Sequence, residues 1–345
     1  MNLITSMNAH RVAGKIAPQP ALLQADALSV AIPTRDGRQV RAVDRVSFAI
    51  GTGESVGIVG ESGSGKSTLL AALLRSYAPG AQVTGGTLLF KGRDLFSISD
   101  KELRKLRGGE IAMIFQDSCV LNPVIRVGDQ IAEVLYAHRD LSLSRCRDEA
   151  KAMLEAVDLR STDVYAAFPH QLSGGQRQRI VIACALVCRP SLVLADEPTA
   201  SLDGDTAVQI LDLLLRLKER MGSAIVLTSH DPLALKLISD RILVMYAGQL
   251  VETGTAFQVL QEPQHPYTRA LLACATPGRR QSLARGHRQP LPTIPGNPPD
   301  LLAPFTGCCF ESRCGERFDL CKVSEPALLG SCDDYQVRCF AREGR

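Results

Sequence analysis

Apolar and polar positions alternate in short segments from Leu23 to about Ile50, and Arg35-Asp36-Gly37 interrupts the run. Side chains along a strand point to opposite faces in turn, so this alternation around an Asp-Gly turn predicts a β-hairpin. Glu54–Val59 predicts a short strand running into the glycine-rich turn Gly60–Gly65, and a helix pattern follows from Ser67 to about Arg75. Segments rich in helix formers fill Asp100–Arg107, Gly128–Ala137 and Leu143–Val157. Leu192–Ala195 and Ala224–Thr228 are continuous apolar runs, as expected of parallel strands buried on both faces, and the second ends at Ser229-His230-Asp231. Between them Val208, Leu211, Leu214, Leu215 and Leu217 form a helical stripe that stops near Gly222. Strands alternating with helices of this length predict an α/β fold with a mainly parallel sheet. Residues 1–22 carry no usable periodicity and predict a flexible N-terminus. After about Pro263 the composition shifts: Pro290–Pro304 holds six prolines in fifteen residues and leads into a cluster of cysteines, which reads as a linker and a small appended module.

Composition narrows the picture modestly. The 345 residues suit two domains at about 150 residues each, and 45% hydrophobic with 22% charged residues excludes collagen, coiled coil and wholesale disorder. A net charge of +3, no tryptophan and no long block of one sign argue against nucleic acid as a partner. No apolar run approaches the ~18–20 residues that span a bilayer; Ile180–Cys188, at nine, is among the longest. The first 25 residues lack the apolar stretch of a signal peptide, so a cytosolic location is expected. Of eleven cysteines, six (Cys308, Cys309, Cys314, Cys321, Cys332 and Cys339) fall in the last 38 residues. Cys119, Cys146, Cys184, Cys188 and Cys274 are scattered and are expected to be small apolar residues in or near packed regions.

The strongest chemistry lies in the segment Gly60-Glu61-Ser62-Gly63-Ser64-Gly65-Lys66-Ser67, which fits G-x-x-x-x-G-K-[ST] between a predicted strand and a predicted helix. Its glycines let backbone N–H groups curl round phosphates, and the helix N-terminus adds the positive end of its dipole. Lys66 would reach the β- and γ-phosphates, and Ser67 would place its hydroxyl on Mg²⁺. Leu192-Val193-Leu194-Ala195-Asp196-Glu197 supplies the partner element. Asp196, ending a buried strand, can hold Mg²⁺ through water, and Glu197 is placed to polarise an attacking water. Two carboxylates there would be costly without a cation.

Leu172-Ser173-Gly174-Gly175-Gln176 lies between these two elements, twenty residues before Asp196. With it the chain resembles the ATP-binding subunits of ABC transporters, in which this pentapeptide is the signature sequence. The resemblance extends to Gln116 in Ile114-Phe115-Gln116-Asp117 (the Q-loop), to Ser201-Leu202-Asp203 (the D-loop) and to His230 (the switch histidine), over roughly residues 25–265. It implies a P-loop NTPase fold: a RecA-like core with an antiparallel β subdomain and a helical signature subdomain. It further implies that Ser62, Gly63, Ser64, Gly65 and Thr68 join Gly60, Lys66 and Ser67 around ATP. Ser67, Asp196 and Gln116 attend Mg²⁺. Glu197 is the catalytic carboxylate, with His230 and Gln116 sensing the γ-phosphate. Ser173, Gly174, Gly175 and Gln176, with Asp203, would complete the site of a second subunit, so each site is built from two halves.

The residues after this core narrow the family. Met245-Tyr246-Ala247-Gly248, Val251-Glu252-Thr253-Gly254, His265-Pro266-Tyr267-Thr268-Arg269, Ile294-Pro295-Gly296 and Gly307-Cys308-Cys309-Phe310-Glu311-Ser312-Arg313-Cys314 look like the oligopeptide/dipeptide/nickel importer ATPases and their C-terminal extension, in the D-type form. The division implied is 1–22 flexible, 23–265 nucleotide-binding domain and 266–345 extension. Partners implied are a second, F-type ATPase subunit, two integral membrane permeases and, through them, an extracytoplasmic solute-binding protein. The chain would sit peripherally on the cytoplasmic face of the inner membrane. Peptides are the expected cargo; nickel or another small solute is the alternative. A soluble ABC ATPase acting on nucleic acid or ribosomes fits less well, because no large basic insertion is present, and intact Glu197 and His230 argue against a sensor that only binds ATP. Ile32 stands where relatives place an adenine-stacking aromatic, and Asp117–Pro123 is one residue shorter than usual.

Cys308, Cys314, Cys321 and Cys339 are separated by 5, 6 and 17 residues, neither a paired C-x₂-C ribbon nor a ferredoxin spacing. They match the four cysteine positions of the family's extension, whose members can hold a [4Fe–4S] cluster. Zinc or unligated thiols are the alternatives, and a cluster would staple a module too small to be held by burial alone. Disulfides are not expected in a reducing cytosol.

Overall fold

The computed structural model describes residues 21–116, 120–159, 162–275, 292–332 and 335–342. Most of the predicted flexible N-terminus, Asp117–Cys119 after the Q-loop residue, and Pro290 and Leu291 of the proline-rich stretch lie outside the described residues.

Twelve strands form two sheets among the described residues: β1 (Leu23–Pro33), β2 (Gln39–Ile50), β3 (Ser55–Val59), β4 (Gln82–Phe90), β5 (Arg93–Asp94), β6 (Ile111–Ile114), β7 (Leu192–Asp196), β8 (Ala224–Thr228), β9 (Arg241–Tyr246), β10 (Gln249–Thr255), β11 (Leu329–Cys332) and β12 (Tyr335–Val337). The predicted hairpin is β1–β2, with Pro33 opposite Gln39 across the turn. It belongs to a four-stranded sheet ordered β2-β1-β4-β5, in which every pairing is antiparallel. The second sheet runs β11-β12-β10-β9-β3-β8-β7-β6. Its β9-β3-β8-β7-β6 portion is parallel, as predicted, while β10, β11 and β12 add antiparallel pairings at one side.

The helices are α1 (Lys66–Leu73), α2 (Asp100–Leu106), α3 (Val127–His138), α4 (Leu143–Ala156), α5 (Thr162–Ala166), α6 (Gly174–Leu186), α7 (Gly204–Met221), α8 (Pro232–Ile238), α9 (Ala256–Gln261), α10 (Pro266–Ala275) and α11 (Leu320–Val323). The parallel strands are apolar throughout because the large sheet is covered on both faces. Val193, Ala195, Ile225 and Leu227 face a core shared with α3, α4, α6 and α7. Their neighbours Leu192, Leu194, Ala224 and Val226 face a second core, filled by α1 and the four-stranded sheet. This is the mixed α/β architecture expected, with an antiparallel subdomain on one side and a helical subdomain, α3–α5, on the other.

Two expectations change. In α7 the buried apolar set is Ile210, Leu211, Leu213, Leu214 and Leu217, whereas Val208 is 54% exposed. The apolar arc is rotated from the predicted stripe because Ile210 and Leu213, not Val208, lie on the side that meets the core. Cys146 and Cys188 are buried as expected, but Cys274 is exposed near the end of α10.

The extension is also less separate than its composition suggests. β12 pairs with β10, Glu252 opposite Val337 and Thr253 opposite Gln336. Phe310, 1% exposed, meets Tyr246 at 5.2 Å and Tyr267 at 5.4 Å between ring centroids, both of which are buried. Burial and shared strands therefore contribute to holding it, because its few apolar side chains enter the cassette's own core rather than one of their own.

Candidate functional site

The glycine-rich loop leaves β3 at Val59 and enters α1 at Lys66. Gly60 runs against the neighbouring strand: a Cβ there would lie 2.2 Å from the Met245 carbonyl oxygen. Gly65 has φ +104°, and a Cβ on it would lie 2.2 Å from the Ala42 carbonyl oxygen. Only glycine tolerates that combination of left-handed backbone and close approach. The loop is tightened by the Ser64 N–H donating to the Glu61 carbonyl at 3.1 Å, while the Ser64 carbonyl accepts from Gly248 N–H at 3.0 Å. Ser62 and Gly63 face outward, Ser64 is buried and Thr68 is half-buried on the helix.

Lys66 is buried, and its ammonium donates to the carbonyls of Gly60 at 2.8 Å and Glu61 at 3.0 Å. Burial pushes its pKa down, opposed by the negative charges of Glu197, Asp196 and Glu61. The cation thus stands folded over its own loop, at the point where carboxylates and phosphates would compete for it.

The carboxylates close β7. In the β7–β8 register Asp196 stands opposite Thr228, and the Thr228 hydroxyl donates to Asp196 Oδ1 at 2.6 Å. Ser67 Oγ donates to the same oxygen at 3.1 Å, so the two residues expected at Mg²⁺ already meet. The Glu197 N–H donates to Thr228 Oγ1 at 2.9 Å, and Glu197 has φ +42°, a left-handed conformation uncommon outside glycine. The turn directs its side chain to His230, whose Nδ1 lies 3.3 Å from Glu197 Oε2. His230 is 68% exposed at its side chain and Glu197 20%, so the pair sits at the mouth of the site, histidine outward.

Lys66, Ser67, Asp196, Glu197 and His230 are therefore brought together as the sequence suggests. Thr228, fully buried, joins Asp196 to Glu197 and is not among the residues expected from sequence. The available signal was a hydroxyl closing the apolar strand beside the one that ends in Asp196.

The remaining expected residues lie at other helix starts. Ser173 caps α6: its Oγ accepts from Gln176 N–H at 3.2 Å while Ser173 N–H donates to Gln176 Oε1 at 2.9 Å, a reciprocal capping box. Gly174 and Gly175 form the first turn, and a Cβ on Gly175 would lie 2.9 Å from Thr206 Cγ2 of α7. Asp203 caps α7 by accepting from the N–H and hydroxyl of Thr206, which hold its carboxyl below the usual range. The exposed Ser173 and Asp203 engage their own helices rather than the phosphate loop. Gln116 is exposed just beyond β6, and Ile32 is half-buried at the end of β1 opposite Val40.

In the extension, Cys308, Cys314, Cys321 and Cys339 line one cavity together with His265, Phe310, Phe318 and Phe340. The Cys308 thiol is lowered to about 5 by a hydrogen bond from Cys309 and by His265, whereas burial raises Cys339 to about 11 and also raises Cys314. Among the described residues, no group of three or more His, Cys, Asp or Glu converges closely enough to hold a metal ion.

Residues 43–200 match the ABC transporter family, and residues 251–321 match the C-terminal region of oligopeptide/dipeptide transporters. The chain is 41% identical over 315 residues to the dipeptide transport ATP-binding protein DppD of Bacillus subtilis, covering 90% of this chain and 92% of that one. It is 43% identical over 314 residues to the oligopeptide transport ATP-binding protein OppD of Salmonella typhimurium, covering 90% and 91%. Against DppD of Escherichia coli the identity is 43% over 324 residues, covering 92% and 96%. Among solved structures it resembles the ATP-binding cassette MJ0796 in a dimeric post-hydrolysis state bound to ADP and Pi, at a TM-score of 0.61 and 29% identity, over 68% of this chain and 98% of that one. With its phosphate loop, paired carboxylates and signature helix in one cassette, the chain is a P-loop ATPase and belongs to the ATP-binding subunits of oligopeptide/dipeptide ABC transporters.

Proposed function

We infer that this ATPase energises import of di- or oligopeptides, paired with a second, F-type ATPase subunit on two membrane permeases that receive cargo from an extracytoplasmic binding protein. The match of residues 251–321 to the peptide-transporter C-terminal region carries this reading, because it lies outside the part common to ABC ATPases. The chain would dock peripherally on the cytoplasmic face of the membrane, as a subunit that meets its permeases there; among the described residues no helix is long and apolar enough to cross a membrane.

In the working site Ser67, Asp196 and Gln116 would hold Mg²⁺; the 3.1 Å contact of Ser67 with Asp196 supports this. Mg²⁺ neutralises charge on the phosphates. Gly60, Ser62, Gly63, Ser64, Gly65 and Thr68 cradle the triphosphate, and Lys66 turns from its own carbonyls to the phosphate oxygens. Glu197 orients and polarises the attacking water, and His230, in contact with it, reports the γ-phosphate. Ser173, Gly174, Gly175, Gln176 and Asp203 complete the partner's site, in keeping with exposed Ser173 and Asp203 side chains whose hydrogen bonds are to their own helices. Peptide-stimulated ATP hydrolysis by the assembled complex in vesicles tests the function; stimulation by nickel and not by peptides would reassign the cargo.

The extension's four thiols, on one partly aromatic cavity with Cys308 inclined to thiolate, suit a [4Fe–4S] cluster, which takes its ligands around a cube rather than at a point. Anaerobically purified chain is expected to hold about four irons. An iron-free, colourless protein would remove the cluster.

A further inference from the structure

Glu61, the second residue of the phosphate loop, is held on three sides. Its N–H donates to the Tyr267 hydroxyl at 2.7 Å, and its carbonyl accepts from Ser64 N–H and the Lys66 ammonium. Its carboxylate takes both prongs of Arg313, with Nη1 at 2.7 Å from Oε2 and Nη2 at 3.0 Å from Oε1. Arg313 comes from the extension, one residue before Cys314, and its side chain is only 4% exposed. Its remaining donors are occupied too: Nε gives to the Pro295 carbonyl at 2.8 Å, and Nη1 also gives to the Tyr246 hydroxyl at 3.2 Å. The guanidinium carbon lies 5.8 Å from the Tyr246 ring centre and 6.0 Å from that of Phe310. So complete a set of contacts fixes the fork in one place.

The geometry points to Arg313 as a positioning residue of the ATP site: reaching in from the extension, it neutralises and anchors Glu61 so that a carboxylate on the phosphate loop does not repel the incoming triphosphate. Without that pairing, a negative charge would stand on the same short loop that must gather polyanionic phosphates, in surroundings where burial weakens screening. The arrangement also ties the cysteine-lined module to the loop through a residue between Phe310 and Cys314, beside the Tyr267 contact. It rests on the ATPase assignment and not on the identity of the cargo or of anything bound by the thiols.

Binding of Mg-ATP to the full chain, read beside the thermal midpoint, tests the inference. Arg313→Gln is expected to weaken binding roughly tenfold, the scale of one lost charge-assisted pair. Adding Glu61→Gln to that variant restores most of the loss, because the charge that needed a partner is gone. A purely architectural arginine gives no such rescue, so wild-type affinity in Arg313→Gln, or a double variant no tighter than the single one, overturns the inference. Should Arg313→Gln fail to fold, Glu61→Asp keeps the charge but withdraws it from the fork, and Glu61→Gln keeps the length but removes the charge. The aspartate variant is expected to bind ATP more weakly than the glutamine variant, and the reverse order or equality refutes the role.

Discussion

At the scale of single residues, the site turns on a few atoms that serve two purposes. Thr228 Oγ1 accepts the Glu197 N–H and donates to Asp196, so one hydroxyl fixes the Asp196 carboxylate and the Glu197 backbone together. Thr228→Val keeps the shape but leaves that N–H without a partner in a buried place. The folded state is expected to lose about 1–3 kcal/mol, read from chemical denaturation, and turnover is expected to fall with it, while Thr228→Ser recovers both. Glu197→Gln is expected to retain ATP and lower turnover by roughly 10²–10⁴, the range of general-base assistance. Ordinary turnover in that variant would remove Glu197 from its role. The placement of both carboxylates at the end of β7 was legible from sequence, because two acids close an apolar run. The threonine was not, since a hydroxyl at a strand end is common and its meaning depends on which strand lies alongside.

At the scale of elements, the motifs read well because each is a local event. The phosphate loop is a strand-to-helix turn, and the signature is a helix N-cap with its reciprocal Gln176. Gly65 shows how tightly such a turn is specified. Gly65→Ala must put a side chain at φ +104° against the Ala42 carbonyl, so it is expected to abolish nucleotide binding, measured with a fluorescent ATP analogue. Wild-type binding would mean that the loop relaxes away from β2. Where the reading slipped, the information was not local. Spacing along α7 admits Val208 to the apolar stripe, yet the choice between Val208 and the adjoining Ile210 and Leu213 is made by the neighbouring helices and sheet. Residue type alone places Cys274 in packed surroundings, whereas α10 turns it outward.

At the scale of the whole molecule, the cassette and the extension are sewn together more closely than composition implied. Prolines and thiols suggested a separate module held by its own staple. Instead Phe310 lies against Tyr246 and Tyr267, the Tyr335 hydroxyl donates to the buried Glu252, and Arg338 donates to the Leu250 carbonyl at 2.8 Å. None of these partners is near in sequence, and β11 and β12 are too short to show a period, so no pattern along the chain could have announced them. Removing residues 292–345 uncovers the β10 edge and the tyrosine pair. The truncated protein is expected to aggregate or melt well below the full chain, checked by light scattering and thermal denaturation. A soluble truncation with unchanged melting would show that the cassette does not depend on the extension.

That late closure of the sheet also bears on the order in which the parts assemble during synthesis. β10 ends at Thr255 and its partner β12 begins only at Tyr335, so on the ribosome the edge of β10 waits open while the intervening chain is made. Glu61, already folded into its loop, waits longer still, for an arginine 252 residues downstream. A nascent cassette can thus assemble its parallel core early, but the loop that takes ATP gains its last anchor only after Arg313 has been made.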